Sequence, residues 1–224
     1  MYVGHFAIAL AIKAASPRTP TLPLMLGVGF LDIVDGALVM LGVDRVTPDP
    51  AAGPTLFFDL DFIDWDHSLL MAAVLSLAWG ALFLKRPRVA WLAAAASFSH
   101  FLADLPLHNG DLALYPHSAQ HLGWGLWGRL GALSWVLEGA FTAVLAAWAW
   151  RASARRGVSL AWPAIGLLAM FLVVSPWLSP MRFIAPLPRP LADLLLGGVV
   201  AGGFLVPGLL MAWLVDGAER QATR

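Results

Sequence analysis

Cysteine is absent from the sequence, which excludes disulfides and thiolate metal sites and leaves only nitrogen and oxygen donors for any metal ion. Charge is scarce as well. Only 12% of the residues are charged, the formal net charge is zero and like charges form no long run, so the chain carries no electrostatic footprint for nucleic acid. No internal repeat is visible. The amino-terminal stretch MYVGHFAIALAIKAAS lacks a basic residue ahead of its apolar run, where a signal peptide would have one; Lys13 follows the run instead, and the stretch reads as a retained helix. With 59% hydrophobic residues, most of the length cannot be solvated surface. The composition is that of an integral membrane protein.

A spanning helix needs about 20 apolar residues to cross roughly 30 Å of hydrocarbon. Windows of that kind fall near residues 21–43, 67–84, 89–106, 132–150, 160–179 and 191–215, with a shorter one near 2–15. The intervening SPRTP, TPDPAAGP, KRPR, RASARRG and APLPRP are rich in proline, glycine or charge and read as turns. The expected fold class is therefore all-α, a polytopic integral membrane bundle of about seven hydrophobic helices with the first one short. Residues 1–150 form its membrane-embedded core in five helices, and residues 151–224 add a two-helix scaffold and a short tail within the same single membrane domain. In that scaffold GGVVAGG places Gly198 and Gly202 at the spacing of close helix contact. Alternate connections collect Lys13, Arg18, Lys85, Arg86, Arg88, Arg151, Arg155, Arg156, Arg220 and Arg224 on one side, and only Arg45, Arg129, Arg182 and Arg189 on the other. An excess of positive charge marks the cytoplasmic side, which puts the N-terminus outside and the C-terminus inside.

Ionisable residues inside the apolar windows are not scattered. All six histidines fall in the outer half of that plan, together with Asp32, Asp35, Asp104 and Glu138. SHFLADLPLHNGD sets His100 and Asp104 four apart on one helical face, with Pro106 just beyond and His108 and Asp111 following. That spacing suits two ligands of one metal ion, or a single intrahelical hydrogen bond. FLDIVDG sets Asp32 and Asp35 three apart, either as functional carboxylates on one face or as a protonated pair. FFDLDFIDWDHSLL puts His67 just inside a helix behind Asp64 and Asp66, one of which is expected to cap it. His5 reads as an interfacial residue or a ligand, and His117 and His121 as solvated loop residues. Glu138 can be a ligand, an acceptor for a ligating histidine or a proton relay.

Energy weighs these readings as a set. Four charged, unpaired carboxylates would cost on the order of 10 kcal/mol in a bilayer, at about 3 kcal/mol each. A bound zinc ion returns roughly 10–16 kcal/mol, whereas an isolated hydrogen bond returns about 1 kcal/mol. Protonation is the remaining escape, and a proton path would use it.

In order along the chain, MYVGHFAIALAIKAASPR, FLDIVD, DWDHSLL, SHFLADLPLHNGDLALYP and GWGLW resemble a family of small bacterial integral membrane proteins described as membrane-bound metal-dependent hydrolases. The order His, Asp, His, H-x3-D, His is also similar to the zinc-dependent phospholipase C and P1 nuclease superfamily, an all-helical multi-zinc phosphodiesterase fold. The resemblance covers about residues 1–140. It implies His5, Asp32, His67, His100 and Asp104 as metal ligands with His108 as a further one, and zinc as the metal. It also implies the bacterial cytoplasmic membrane as the location. The secreted phospholipases have a processed N-terminal tryptophan and a later H-x3-E, where this chain has Met1-Tyr2 and the pair His117 and His121 without the glutamate. The number of ions stays open.

Two functions are compatible with these residues. A zinc-type site facing the outer leaflet would make the chain a hydrolase of a phosphodiester or related ester, membrane lipids included, with Asp35 or Asp66 as general base and Glu138 orienting a ligand. The alternative is a divalent-cation or proton transporter or channel that uses the same His and Asp groups in transit. Against it, transport sites lie near the midplane between repeated halves.

Overall fold

Proline and glycine set where the helices begin and end. The computed structural model describes residues 1–223 and is mostly helical. Helices α1 (Val3–Ala15), α2 (Thr21–Gly27) and α3 (Phe30–Met40) lead into a hairpin of β1 (Arg45–Pro48) and β2 (Phe58–Phe62). Then come α4 (Asp64–His67), α5 (Leu69–Ala81) and α6 (Pro87–Asp104), whose first residue is a proline at the position where a missing N–H costs nothing. After the loop that carries His108 follow α7 (Leu126–Leu130), α8 (Ala132–Ala154), α9 (Ala161–Val173), α10 (Met181–Ile184) and α11 (Leu191–Ala222).

This architecture corrects the seven-helix expectation. Among the described residues, α8 and α11 are the two helices long and apolar enough to cross a membrane; a third crossing results if α2 and α3, bent by 47° at their break, count as one span. Helices α1, α5 and α9 are apolar but have 13 residues each. At 1.5 Å per residue they cover about 20 Å, short of roughly 30 Å of hydrocarbon. Helix α6 has the length, but Arg88, Ser97, Ser99, His100 and Asp104 dilute its hydropathy. The apolar windows joined each short helix to apolar flanks that are not helical. Ser68, extended at ψ 153°, separates α4 from α5 and accepts the Met71 N–H at 3.3 Å, so it caps α5 in place of Asp64 or Asp66.

The all-α expectation is corrected as well. Strands β1 and β2 pair antiparallel, with Arg45 opposite Phe62 and Thr47 opposite Asp59. In FDLDF the aspartates are exposed while Phe58 is buried, the alternation of a half-buried strand. The proline- and glycine-rich connection between the strands masked that signal. The hairpin's Val46 and Phe58 pack with Val39 and Leu196 into a cluster of their own, beside the larger core of Phe6, Leu10, Leu24, Met25, Phe204 and Met211.

Helix ends gather charge at one face. Lys13 Nζ bonds the carbonyls of Pro17 and Thr19 and pairs with Glu219 at 2.9 Å, while Arg156 bonds the Ala14 carbonyl at 3.1 Å. The C-terminal ends of α1, α8 and α11 therefore meet there. Along the sides, Leu77, Val144, Leu168 and Trp213 are exposed, as suits a lipid-facing surface.

Helices α3 and α11 approach most closely at Gly36 and Gly197, whereas an added Cβ at Gly198 or Gly202 would meet nothing within 4 Å. A Cβ at Gly36 would meet the Gly197 carbonyl and stand 2.7 Å from the Ala201 nitrogen, both backbone atoms. Gly36→Ala is expected to destabilise the detergent-purified protein by about 1–3 kcal/mol, seen as a lower melting temperature, with Gly202→Ala unchanged. Equal melting temperatures for both variants would contradict the close approach.

Candidate metal centre

Helix α6 presents His100 and Asp104 one turn apart on its buried face, with His100 Nε2 2.9 Å from Asp104 Oδ2. The break between α2 and α3 turns the Val28 carbonyl toward α6, where it accepts from His100 Nδ1 at 2.7 Å. A carbonyl only accepts, so Nδ1 carries the hydrogen and the neutral ring's lone pair sits on Nε2. Helix α3 then brings in Asp32, whose two oxygens lie 3.4 Å from His67 Nε2 and 3.4 Å from His100 Nε2.

The single turn α4 holds Asp66 and His67 side by side, with Asp66 Oδ2 2.6 Å from His67 Nδ1. With Asp66 as the acceptor of an Nδ1–H, His67 too turns an Nε2 lone pair inward; with Asp66 as the donor, Nε2 carries the hydrogen. The two Nε2 atoms stand 3.2 Å apart. In the first arrangement two lone pairs face each other and a cation between them would satisfy both; in the second the contact is an N–H···N hydrogen bond.

A shared proton would serve that pair but not its neighbour. His5 on α1 is fully buried, stacks on the His100 ring at 3.8 Å, and makes no well-aligned hydrogen bond through either nitrogen. Its Nε2 is 3.3 Å from Asp104 Oδ1. A buried imidazole left unpaired is costly, and a metal ion fits these donors better than a proton does. Asp104 divides its oxygens: Oδ2 faces His100, while Oδ1 faces His5, the Met1 ammonium and, at 3.8 Å, His108 Nε2.

His5, Asp32, His67, His100 and Asp104 are thus brought together, in overlapping groups whose ligand atoms lie within 4.8 Å of one another. His108 sits at the rim, its ring against Trp127 at 4.2 Å and its Nδ1 3.2 Å from Asp111. Burial alone would push the Asp111 carboxyl up, but His108 beside it holds it below the usual carboxylate range. The other expected residues fall into place differently. Asp35 is buried on the wall of a cavity of 210 Å³, with Oδ1 unpartnered. Glu138 Oε1 accepts the N–H groups of Tyr2 at 2.6 Å and Gly4 at 3.2 Å, so it anchors the start of α1. His117 and His121 are exposed and lie apart; the His117 N–H bonds Asp64 Oδ2 at 2.7 Å.

Sequence reasoning missed two contributors. Phe204 on α11 packs against the rings of His5 and His100, so a helix read as scaffold supplies part of the site's wall. Asp44, between α3 and β1, is buried with both oxygens unpartnered, and burial pushes its carboxyl above the usual range. Neither had a spacing signal: Phe204 is one apolar residue among many, and Asp44 sits beside Arg45 in an apparent loop. The cavity joins Asp32, Asp35, His67 and His108 at one end to Val39, Leu196, Val199 and Val200 along its side.

His100→Ala is expected to abolish binding of a divalent metal ion by the purified protein, and Asp66→Asn to weaken it by about 10–100-fold, because it frees the His67 ring. Elemental analysis and chelator competition read both. Wild-type metal content in His100→Ala would remove the centre. No family model, curated protein or solved structure matches the chain.

Proposed function

We propose that this chain is a membrane-embedded, metal-dependent hydrolase that cleaves a phosphodiester or related ester, lipids included, at the outer leaflet of a bacterial cytoplasmic membrane. The observation that carries the reading is the pair of inward Nε2 atoms 3.2 Å apart, flanked by Asp32 and Asp104 and by the buried His5. Imidazole and carboxylate donors of this kind suit zinc, and His67, His100, Asp32 and Asp104 would hold it. When bound, such an ion supplies Lewis-acid charge and brings the ionisation of water toward neutral pH. The order of the ligands along the chain, which resembles the metal-dependent hydrolases named above, supports the same reading.

The chain's own residues do the rest. The Val28 carbonyl and Asp66 hold the two imidazole rings in place. Because Asp66 is committed to His67, Asp35 on the cavity wall is the carboxylate that takes the proton from the attacking water. Val39, Leu196, Val199 and Val200 receive the alkyl part of the ester and keep bulk water out. Lys13, Arg156 and the C-terminal end of α11 gather at one face, which supports a cytoplasmic placement for that face and an outward one for the cluster.

Zinc-loaded protein is expected to hydrolyse at least one member of a panel of phospholipids and model phosphodiesters. Asp35→Asn should lower kcat by about 10²–10⁴-fold. No turnover across the panel with the zinc in place would end the hydrolase reading, and metal flux into proteoliposomes that Asp32→Asn abolishes would reassign the cluster to transport. Orientation is checked on the cysteine-free chain by single substitutions. A membrane-impermeant maleimide should label Asp61→Cys but not Gln221→Cys on intact cells; the opposite pattern would invert the topology.

A further inference from the structure

Building on the hydrolase reading, we propose that the substrate is a lipid that stays in the membrane. One of its hydrocarbon chains lies in the cavity and passes out sideways into the bilayer, between the end of α9 and α11, while its ester stands at the histidine centre. The cavity runs from Asp32, His67 and His108 to Val173 and Val174 at the end of α9 and to Val199 and Val200 on α11. Helices α9 and α11 touch at another level, where a Cβ on Gly166 would stand 3.1 Å from Met211 Sδ. At Val173 and Val200 the cavity lies between them instead. Among the described residues no hydrogen bond or ion pair joins α9 or α10 to α11, so only apolar side chains close this seam. Val173 lines the cavity and is also 54% exposed, which carries the cavity wall onto the outer surface.

The surface around that lip belongs to lipid. Trp177 and Leu178 in the α9–α10 connection and Phe183 on α10 are all exposed. Depth agrees with this. Along α11, Val200 stands about 28 Å from Glu219, the partner of Lys13 at the charged face, at 1.5 Å per residue. That is close to the roughly 30 Å thickness of the hydrocarbon, and an exposed tryptophan beside the seam fits the aromatic belt at the lipid–water boundary. A lipid carries its ester at that same boundary, between headgroup and chains. Phe204, which covers the histidine rings, is one helical turn deeper, so the ester has about 6 Å to descend. Lysine and arginine, the usual guides of a water-borne phosphate, are absent from the cavity wall among the described residues, where Asp32, Asp35 and Glu138 stand.

The test reads binding, so that it stands apart from turnover. The full chain is placed in phosphatidylethanolamine vesicles in which a fraction of the lipid carries a diazirine partway along one acyl chain. After irradiation, mass spectrometry maps the adducts. Label is expected on Val39 or Leu196, each 2% exposed, as well as on the lipid-facing Leu168. Val200→Trp fills the seam and should cut the interior label by about tenfold or more relative to Leu168. The proposal is overturned if label is confined to outward residues such as Leu168, or if Val200→Trp leaves the interior label undiminished. Should Val200→Trp fail to fold, Val173→Trp narrows the same seam from the opposite lip and is read in the same way. Interior label without turnover of any ester removes the hydrolase reading and keeps the lipid site. Turnover of a water-soluble phosphodiester with no interior label keeps the hydrolase and removes the lipid route.

Discussion

Two imidazole nitrogens that face each other at 3.2 Å, out of water, are the constraint around which the rest of this fold is arranged. Each ring is held from behind at Nδ1, by the Val28 carbonyl for His100 and by the Asp66 carboxyl for His67. Neither ring can turn away without breaking a buried hydrogen bond, so both Nε2 atoms stay aimed at the same space. Asp32 and Asp104 supply the counter-charge from two other directions.

Irregularities elsewhere in the chain serve that arrangement. An unbroken helix over residues 21–43 would tie the Val28 carbonyl into its own ladder; the 47° bend makes it available to His100. Ser68, in extended conformation, ends α4 directly after His67, so the turn that holds Asp66 and His67 is separate from α5. Gly36, one residue after Asp35, lets α11 come close enough for Phe204 to cover the histidine rings. Glu138, from the middle of the bundle, holds the backbone at the start of α1 and with it His5.

Much of the centre was legible because its parts follow helical spacing. His100 and Asp104 at four residues, and Asp32 and Asp35 at three, are visible as shared faces in any helix, and the order of the histidines carried the resemblance. What was not legible depends on where apolar runs stop being helical. Hydropathy counted residues 67–84 and 160–179 as spans, but it does not register the extended Ser68 or the end of α9 at Val173. The hairpin was hidden for a related reason: its alternation is only five residues long, behind a stretch that reads as a turn. Glu138 was noticed as an intramembrane acid, yet its partners are backbone amides, and no side-chain pattern reports those.

The short helices have a consequence for the lipid around them. Helix α5 begins two residues after His67 and exposes Leu70, Val74 and Leu77, and α9 exposes Ile165, Leu168 and Leu172. An apolar face about 20 Å tall meets a hydrocarbon layer of roughly 30 Å, and a mismatch of that size is relieved by thinning of the bilayer. The leaflet would dimple where α5 meets it, next to the centre. Headgroups there would sit nearer the midplane than elsewhere, and so nearer to the depth of the histidines.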